Sequence, residues 1–296
     1  MLFDSHAHVN IPSADVRFRP EYSINSLLSE MDKHKIDKSV VMINPTFRFF
    51  KCPKDNKHKV AVQDTDKKNT LRLHCIQCNT TLYEGPDPTR IYNLELLEKI
   101  EPFSERFFPM LTITLSNSTI PFEVSFFESH FSNKFVGYKV HPRICFRPLD
   151  EITIFPTTRP ILIHTGVDFP PTQTNLNFVR NYKGTVILAH AGRFDSNFLY
   201  FTKNFPNVYI DTAPSSLMYK GKLTDLHPPF NTLISKPNDI YKYLIEQIGE
   251  DKLLFGSDVP WGNYSDEIEI FNSGNFSKDV YDKISYLNLL SALNLN

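Results

Sequence analysis

The stretch Met1-Leu2-Phe3-Asp4-Ser5-His6-Ala7-His8 decides how the rest of the chain is read. It predicts a strand. Side chains two apart in a strand share a face, so His6 and His8 point the same way and Asp4 lies one step deeper on that face. Two neutral imidazoles converging on one point are half of a divalent-metal site. A half-buried strand that carries two histidines by chance looks the same in isolation, so the reading depends on whether other strands supply further ligands.

Seven more short apolar runs follow: Lys38 to Ile43, Phe107 to Ile113, Phe135 to His141, Pro160 to His164, Thr185 to His190, Val208 to Asp211 and Lys252 to Gly256. They are continuous and rich in β-branched residues, as expected of parallel strands buried on both faces. Helical patterns fill the gaps at Ile24–His34, Ile91–Ile100, Phe122–Phe131, Asn175–Tyr182, Asn197–Phe205, Asn238–Ile248 and Lys278–Leu293. The gap after the fourth strand is broken by Pro142, Pro148 and Pro156, which predicts a short helix at most. Eight strand–helix units predict an α/β fold, a (β/α)8 TIM barrel running from 1 to 296. A doubly wound open sheet is the alternative, and no Gly-rich dinucleotide fingerprint supports it.

Residues 47–89 break the alternation between the second strand and its helix. They are Lys-rich, hold three of the chain's four cysteines, and read as an inserted module. Cys75-Ile76-Gln77-Cys78 followed by Asn79-Thr80-Thr81-Leu82 resembles the second knuckle of a zinc ribbon. The first knuckle is incomplete: Cys52-Pro53 begins it, but Asp55 occupies the place of the expected cysteine. His58 is the other candidate for a fourth ligand, ahead of His74, which adjoins Cys75. A structural Zn²⁺ would supply folding energy to so small a module, and a degenerate ribbon with free thiols is the alternative.

Lys+Arg and Asp+Glu number 32 and 33, so no bulk field recruits nucleic acid or an acidic membrane. No apolar run approaches the roughly 20 residues of a membrane span. The first residues lack the basic and apolar regions of a signal peptide. Four cysteines in 296 residues do not make a disulfide scaffold. The expectation is a soluble cytoplasmic protein with a small-molecule substrate, no nucleic-acid or membrane partner, and a homodimer as the candidate assembly.

In a (β/α)8 barrel the chemistry sits at the C-terminal strand ends. Polar residues fall there repeatedly: His6 and His8, Lys139 and His141, His164, His190, Asp211 and Asp258. Burying them unpaired would cost several kcal/mol each, which a shared metal removes.

Asp4-Ser5-His6-Ala7-His8, Gly137-Tyr138-Lys139-Val140-His141-Pro142, Ile163-His164-Thr165-Gly166, Ala189-His190-Ala191-Gly192 and Phe255-Gly256-Ser257-Asp258-Val259-Pro260-Trp261-Gly262 together resemble the amidohydrolase superfamily. The nearest branch is the one that includes aminocarboxymuconate-semialdehyde decarboxylase and related metal-dependent hydrolases. The resemblance spans the chain apart from the insertion. It implies that His6, His8, His164 and Asp258 bind one divalent metal, with zinc favoured and manganese or iron as alternatives. It further implies that Asp258 shuttles a proton and that His190 orients or deprotonates water. In binuclear members the lysine matching Lys139 is carbamylated. The surrounding Gly-Tyr-Lys-Val-His-Pro is more like the mononuclear branch, where it would be a buried or substrate-facing cation.

Substrate contacts are expected from Lys139, His141, Arg143, Arg193 and Trp261 around the rim, the arginines as bidentate clamps for a carboxylate. Asp4 and Asp211 are expected to orient ligands, and His227 is a loop histidine that a lid could use. The first functional reading is a metal-dependent hydrolase cleaving an amide, ester or lactone. A metal-dependent decarboxylase, a carbon–carbon lyase on the same site, is the second. A non-catalytic binding protein acting through the ribbon is the third.

Overall fold

The computed structural model describes residues 1–10, 22–43, 51–55, 57–142, 149–152, 155–165, 173–220 and 234–295. The first strand, β1 (Phe3–Val9), is buried along its whole length and is followed by α1 (Ile24–His34) and β2 (Lys38–Ile43). Ser23 Oγ caps α1 by accepting from Ser26 N at 3.2 Å, and Lys35 closes it in the left-handed conformation. The described part of the insertion then forms β3 (Val60–Asp64), β4 (Leu71–Cys75) and β5 (Thr80–Gly85).

The alternation resumes with α2 (Thr89–Ile100), β6 (Phe107–Ile113), α3 (Ile120–Phe131), β7 (Gly137–Val140) and β8 (Ile161–Ile163). Next come α4 (Gln173–Asn181), β9 (Val186–Leu188), α5 (Ser196–Asn204), β10 (Val208–Asp211) and α6 (Ser215–Tyr219). The chain continues through α7 (Asp239–Ile248), β11 (Leu253–Leu254) and α8 (Tyr264–Ser273). It ends in α9 (Lys278–Asp282), a π turn over Lys283–Leu287, and α10 (Asn288–Ala292).

Eight strands form one parallel sheet in the order β1-β2-β6-β7-β8-β9-β10-β11. The two ends meet: Ser5 N donates to Phe255 O at 2.9 Å, Asp258 N to His6 O at 2.7 Å and His8 N to Val259 O at 2.8 Å. The expected α/β barrel is the architecture observed. Phe3, Val40, Met42, Phe108, Met110, Leu162, Ile187 and Leu254 fill its interior, joined by Leu289 and Leu293 from the C-terminal helix. The intervening strand residues, such as Val41, Leu111, Ile163, Leu188 and Leu253, pack with the helices in a second cluster.

One sequence expectation fails on β1. Asp4 pairs with Ser39, but Ala7 pairs with Val41, so β1 carries one extra residue between them. A bulge reverses the period-two count. Asp4 therefore shares a face with Ser39 and Ala7, toward the helices, while His8 shares the inner face with Met42. The alternation from residue 4 to residue 8 is broken between them, and Asp4 does not lie below the two histidines.

The insertion is a separate three-stranded antiparallel sheet, β3-β4-β5. It has more core than its polar composition implied. Val60 and Val62 on β3 and Leu71, Leu73 and Cys75 on β4 are buried in the cluster that the barrel helices share. Asp64, at the end of β3, accepts hydrogen bonds from Ser116 Oγ, Asn117 Nδ2 and Ser118 N, the segment directly after β6.

Candidate metal centre at the barrel mouth

The closing hydrogen bonds between β1 and the segment after β11 bring residues 6, 8 and 258 together. His6 Nε2 lies 3.1 Å from His8 Nε2 and 3.5 Å from Asp258 Oδ1, and His8 Nε2 lies 3.4 Å from the same oxygen. Two donors on one tetrahedral zinc, with bonds of roughly 2.0–2.1 Å, stand about 3.3–3.4 Å apart. The three measured separations bracket that value.

The proton positions sharpen the fit. His6 Nδ1 faces Asp211 Oδ2 at 2.8 Å and His8 Nδ1 faces the Ile43 carbonyl at 3.2 Å. Each contact calls for an N–H on Nδ1, so both Nε2 atoms carry bare lone pairs. Burial, and then the nearby Lys139 ammonium, holds the His6 pKa well below its ordinary value. Burial also lowers that of His8, against the pull of Asp258. Two neutral imidazole lone pairs and an oxygen of Asp258 thus converge on one point, and a divalent cation answers that arrangement. From the β7 side Lys139 Nζ reaches His6 Nε2 at 3.3 Å. This lysine is fully buried, and burial lowers its pKa to about 8 against the pull of Asp211 and Asp258.

His190, two residues beyond β9, belongs to a second grouping with His6 and Asp211. Its Nδ1 donates to Ala213 O at 2.7 Å, which leaves Nε2 as an acceptor, 2.8 Å from His164 Nδ1. Burial, then Arg193 and Lys139, keeps His190 neutral by pushing its pKa well down. His164 stands one step outside the His6–His8–Asp258 trio: it bonds to His190 and stacks on His141 with ring centroids 3.9 Å apart. Residues 190–194 all have φ between 54° and 59°, and Asp258 has φ of 55°. Left-handed backbone costs roughly 1–2 kcal/mol per non-glycine residue. Such strain persists where the surroundings over-determine it, and it clusters at functional sites.

Asp211 is one of those determinants. Its Oδ1 accepts from His190 N at 2.9 Å and Ala213 N at 3.1 Å, while Oδ2 takes the His6 ring proton. Asp4 plays a comparable part from the other side of β1. It accepts from His6 N, Ser257 N, Ser257 Oγ, Tyr264 Oη and Ser39 Oγ. Burial raises its pKa to about 6 against those bonds. Ser257, Tyr264 and the Ile43 and Ala213 carbonyls carry no distinctive signal in one sequence, and only the packed barrel shows them contacting Asp4 and the histidine rings.

Around the rim, Trp261 sets its ring edge-on to His8 at 5.1 Å and is partly exposed. Arg193 is buried and donates from Nε to Thr165 O at 2.9 Å. Arg143 and His227 lie outside the described residues. In the insertion, Cys52, His58, Cys75 and Cys78 come together, and Asp55 stays out of that group.

The amidohydrolase family model matches residues 155–288, which include His164, His190, Asp211 and Asp258. That match covers the C-terminal part of the barrel, from β8 onward, and is less than half of the chain. Solved structures of the same fold align over nearly the whole chain. A probable 2-pyrone-4,6-dicarboxylic acid hydrolase from Acinetobacter baumannii is 17% identical, covers 99% of each chain and has a TM-score of 0.61. The 2,6-dihydroxybenzoate decarboxylase from Rhizobium is 14% identical over 99% of this chain and 98% of its own, with a TM-score of 0.61. The 5-carboxyvanillate decarboxylase from Novosphingobium aromaticivorans, solved with manganese bound, is 12% identical over 100% of this chain and 97% of its own, with a TM-score of 0.64. No curated protein matches the chain in sequence. The amidohydrolase match leaves out β1, so the case for His6 and His8 rests on their motif and their geometry. Among the described residues no helix is long and apolar enough to cross a membrane.

Proposed function

We propose that the barrel mouth holds one divalent metal and that the protein is a metal-dependent hydrolase of a small, carboxylate-bearing ring compound. The observation that carries this is the convergence of His6 Nε2, His8 Nε2 and Asp258 Oδ1 at 3.1–3.5 Å with both ring protons committed elsewhere. His164 stays in the ligand set as the residue the resemblance supplies, and its bond to His190 makes it the member most in need of testing. The resemblance favours zinc, and the manganese-bound relative keeps that metal in view.

When bound, the ion supplies Lewis acidity toward a carbonyl and makes water acidic enough to react near neutral pH. The chain's own groups do the rest. Asp211 and the Ile43 carbonyl hold the imidazoles of His6 and His8 in the tautomer that exposes Nε2. Asp258 offers a second oxygen, 4.0 Å from His190 Nδ1, as a proton acceptor and later a donor to the leaving group. His190, neutral and fixed by Ala213, turns Nε2 to His164 Nδ1 at 2.8 Å and so holds that ring in place; it can act as a second base only if that contact opens. Lys139 holds positive charge beside the carboxylates. Arg193 and Trp261 stand at the rim for the substrate, with Arg143 and His141 as further candidates.

The substrate class is supported by the names of the three relatives, each of which denotes a carboxylic acid on an unsaturated six-membered ring. The first is a lactone, which suits attack by activated water. The other two are decarboxylases, and on that ground decarboxylation by the same residues is the second reading.

The test is a screen of metal-reconstituted protein against carboxylated lactones and carboxylated phenols. Released CO₂ and incorporation of ¹⁸O from labelled water are followed together. Label uptake without CO₂ supports the hydrolase, and CO₂ without label supports the decarboxylase. Protein that binds no metal at a site sensitive to His8→Ala would sink both readings and favour the third, a binding role for the insertion.

A further inference from the structure

A second cluster stands apart from the barrel mouth and has no part in the proposed chemistry. Cys52 and His58 precede β3, Cys75 ends β4, and Cys78 lies in the turn before β5. Two loops at one end of the small sheet therefore face each other. The Cys52 and Cys78 sulfurs are 3.7 Å apart, His58 Nδ1 is 3.1 Å from Cys78 Sγ, and Cys75 Sγ is 3.7 Å from the same nitrogen. All four ligand atoms lie within 4.8 Å of one another. The cysteines are unbridged. Around one tetrahedral zinc, bonds of roughly 2.3 Å to sulfur and 2.0–2.1 Å to nitrogen place donors about 3.5–3.8 Å apart.

The backbone prepares both loops for thiolates. Cys52 sulfur accepts from the backbone N–H groups of Lys54 and Asp55, and Cys75 sulfur accepts from Cys78 N at 3.3 Å. Such bonds favour the charged form of the sulfur. Asp55 is committed elsewhere: its Oδ1 accepts from Lys57 N at 2.8 Å, and its Oδ2 reaches only the far ring nitrogen of His58, at 3.9 Å.

We infer that Cys52, His58, Cys75 and Cys78 bind one structural Zn²⁺ in a closed Cys₃His site. His58, not Asp55, is the fourth ligand. Three thiolates and an imidazole fill a tetrahedron and leave no position for substrate, which separates this site from the barrel mouth. The metal ties the loop before β3 to the β4–β5 turn. The opposite end of β3, through Asp64, grips Ser116, Asn117 and Ser118 after β6, while Thr70 O accepts from Ser118 Oγ at 2.6 Å. The zinc-held sheet thus braces a loop at the C-terminal end of a barrel strand.

The test is Co²⁺ substitution in the full-length, reduced protein. Thiolate-to-cobalt charge-transfer absorption is expected, because the barrel site offers cobalt no sulfur. The band is expected to persist in His6→Ala/His8→Ala, to disappear in Cys75→Ser, to shift in His58→Gln, and to stay unchanged in Asp55→Asn. No such band in the wild-type protein, a band indifferent to Cys75→Ser, or a shift with Asp55→Asn but not His58→Gln would each overturn the assignment. Should Cys75→Ser fail to fold, a mercurial titration of wild-type protein with a colorimetric zinc indicator decides. Zinc released in step with thiol modification supports the site, and complete modification without zinc release refutes it.

Discussion

The two clusters gather ligands in opposite ways. At the mouth, His6 and His8 meet Asp258 only because the sheet closes on itself and bonds the first strand to the segment after the last. In the insertion, the four donors fall between residues 52 and 78 and meet through one small antiparallel sheet. The mouth gathers nitrogen and oxygen atoms, held by buried carboxylates and carbonyls outside the cluster. The insertion gathers three sulfurs and the His58 ring nitrogen, with Cys52 and Cys75 accepting from backbone N–H groups of their own loops. A reactive centre needs an open position and partners that tune each donor, so it draws on the whole barrel. A closed staple needs neither, so a short segment suffices.

The comparison can be broken most directly at Asp258. Asp258→Asn keeps the shape but loses the proton acceptor, so kcat is expected to fall 10²- to 10⁴-fold, about 3–5 kcal/mol in the barrier. The cobalt–thiolate signal of the insertion should not change. Steady-state kinetics and absorption on the same sample check both halves.

Next in size is Asp4→Ala. It removes the acceptor for five hydrogen bonds and leaves several donors buried. A loss of about 3 kcal/mol or more in unfolding free energy is expected from urea denaturation, while Asp4→Asn should cost less. A change under about 1 kcal/mol would mean that the β1–α8 junction does not depend on this carboxylate.

Asp211→Asn weakens the contact that fixes His6 without touching a proposed ligand. Metal affinity at the mouth is expected to drop about 10- to 100-fold in competition titrations, with the insertion's metal unaffected. Equal losses at both sites would erase the contrast drawn above.

The smallest effect expected is at Glu267, which bonds Ser216 N at 3.0 Å. Burial raises its pKa from the ordinary glutamate value of 4.5 to about 8. The folded protein then holds a proton that the unfolded chain has released, so stability falls as pH rises between those two values. Glu267→Gln should flatten that decline. The variant's Tm is expected to match wild type near pH 5 and to exceed it by a few degrees at pH 9. Parallel melting curves across that range would show that Glu267 ionises freely.

Much of this was legible in the residues. Runs such as Ile161–Ile163 followed by His164, and Val186–Leu188 followed shortly by His190, announce buried parallel strands with polar ends, because both faces of such strands are covered. Two helices were missed: α6 is five residues long and follows Pro214, and α8 follows directly on the Pro260-Trp261-Gly262 turn, which reads as loop. The register of β1 was misjudged at Asp4, because a bulge depends on the partner strand and leaves no mark on the strand that carries it. The insertion's three strands also went unread, as their alternation of valine and leucine with charged residues sits among lysines and turn formers.

Local pattern alone therefore determined the α/β class, the eight parallel strands, the His6–His8 pair and the cysteine knuckle, because each depends on spacing within a few residues. Tertiary structure decided that Asp258 joins the first strand, that His164 faces His190, that Asp4 turns toward the helices, and that His58 rather than Asp55 enters the cysteine cluster. Those outcomes depend on barrel closure, on the bulge and on which hydrogen bonds the backbone has already claimed. All three are contacts between residues distant in sequence or competing for one partner, and spacing along the chain does not encode them.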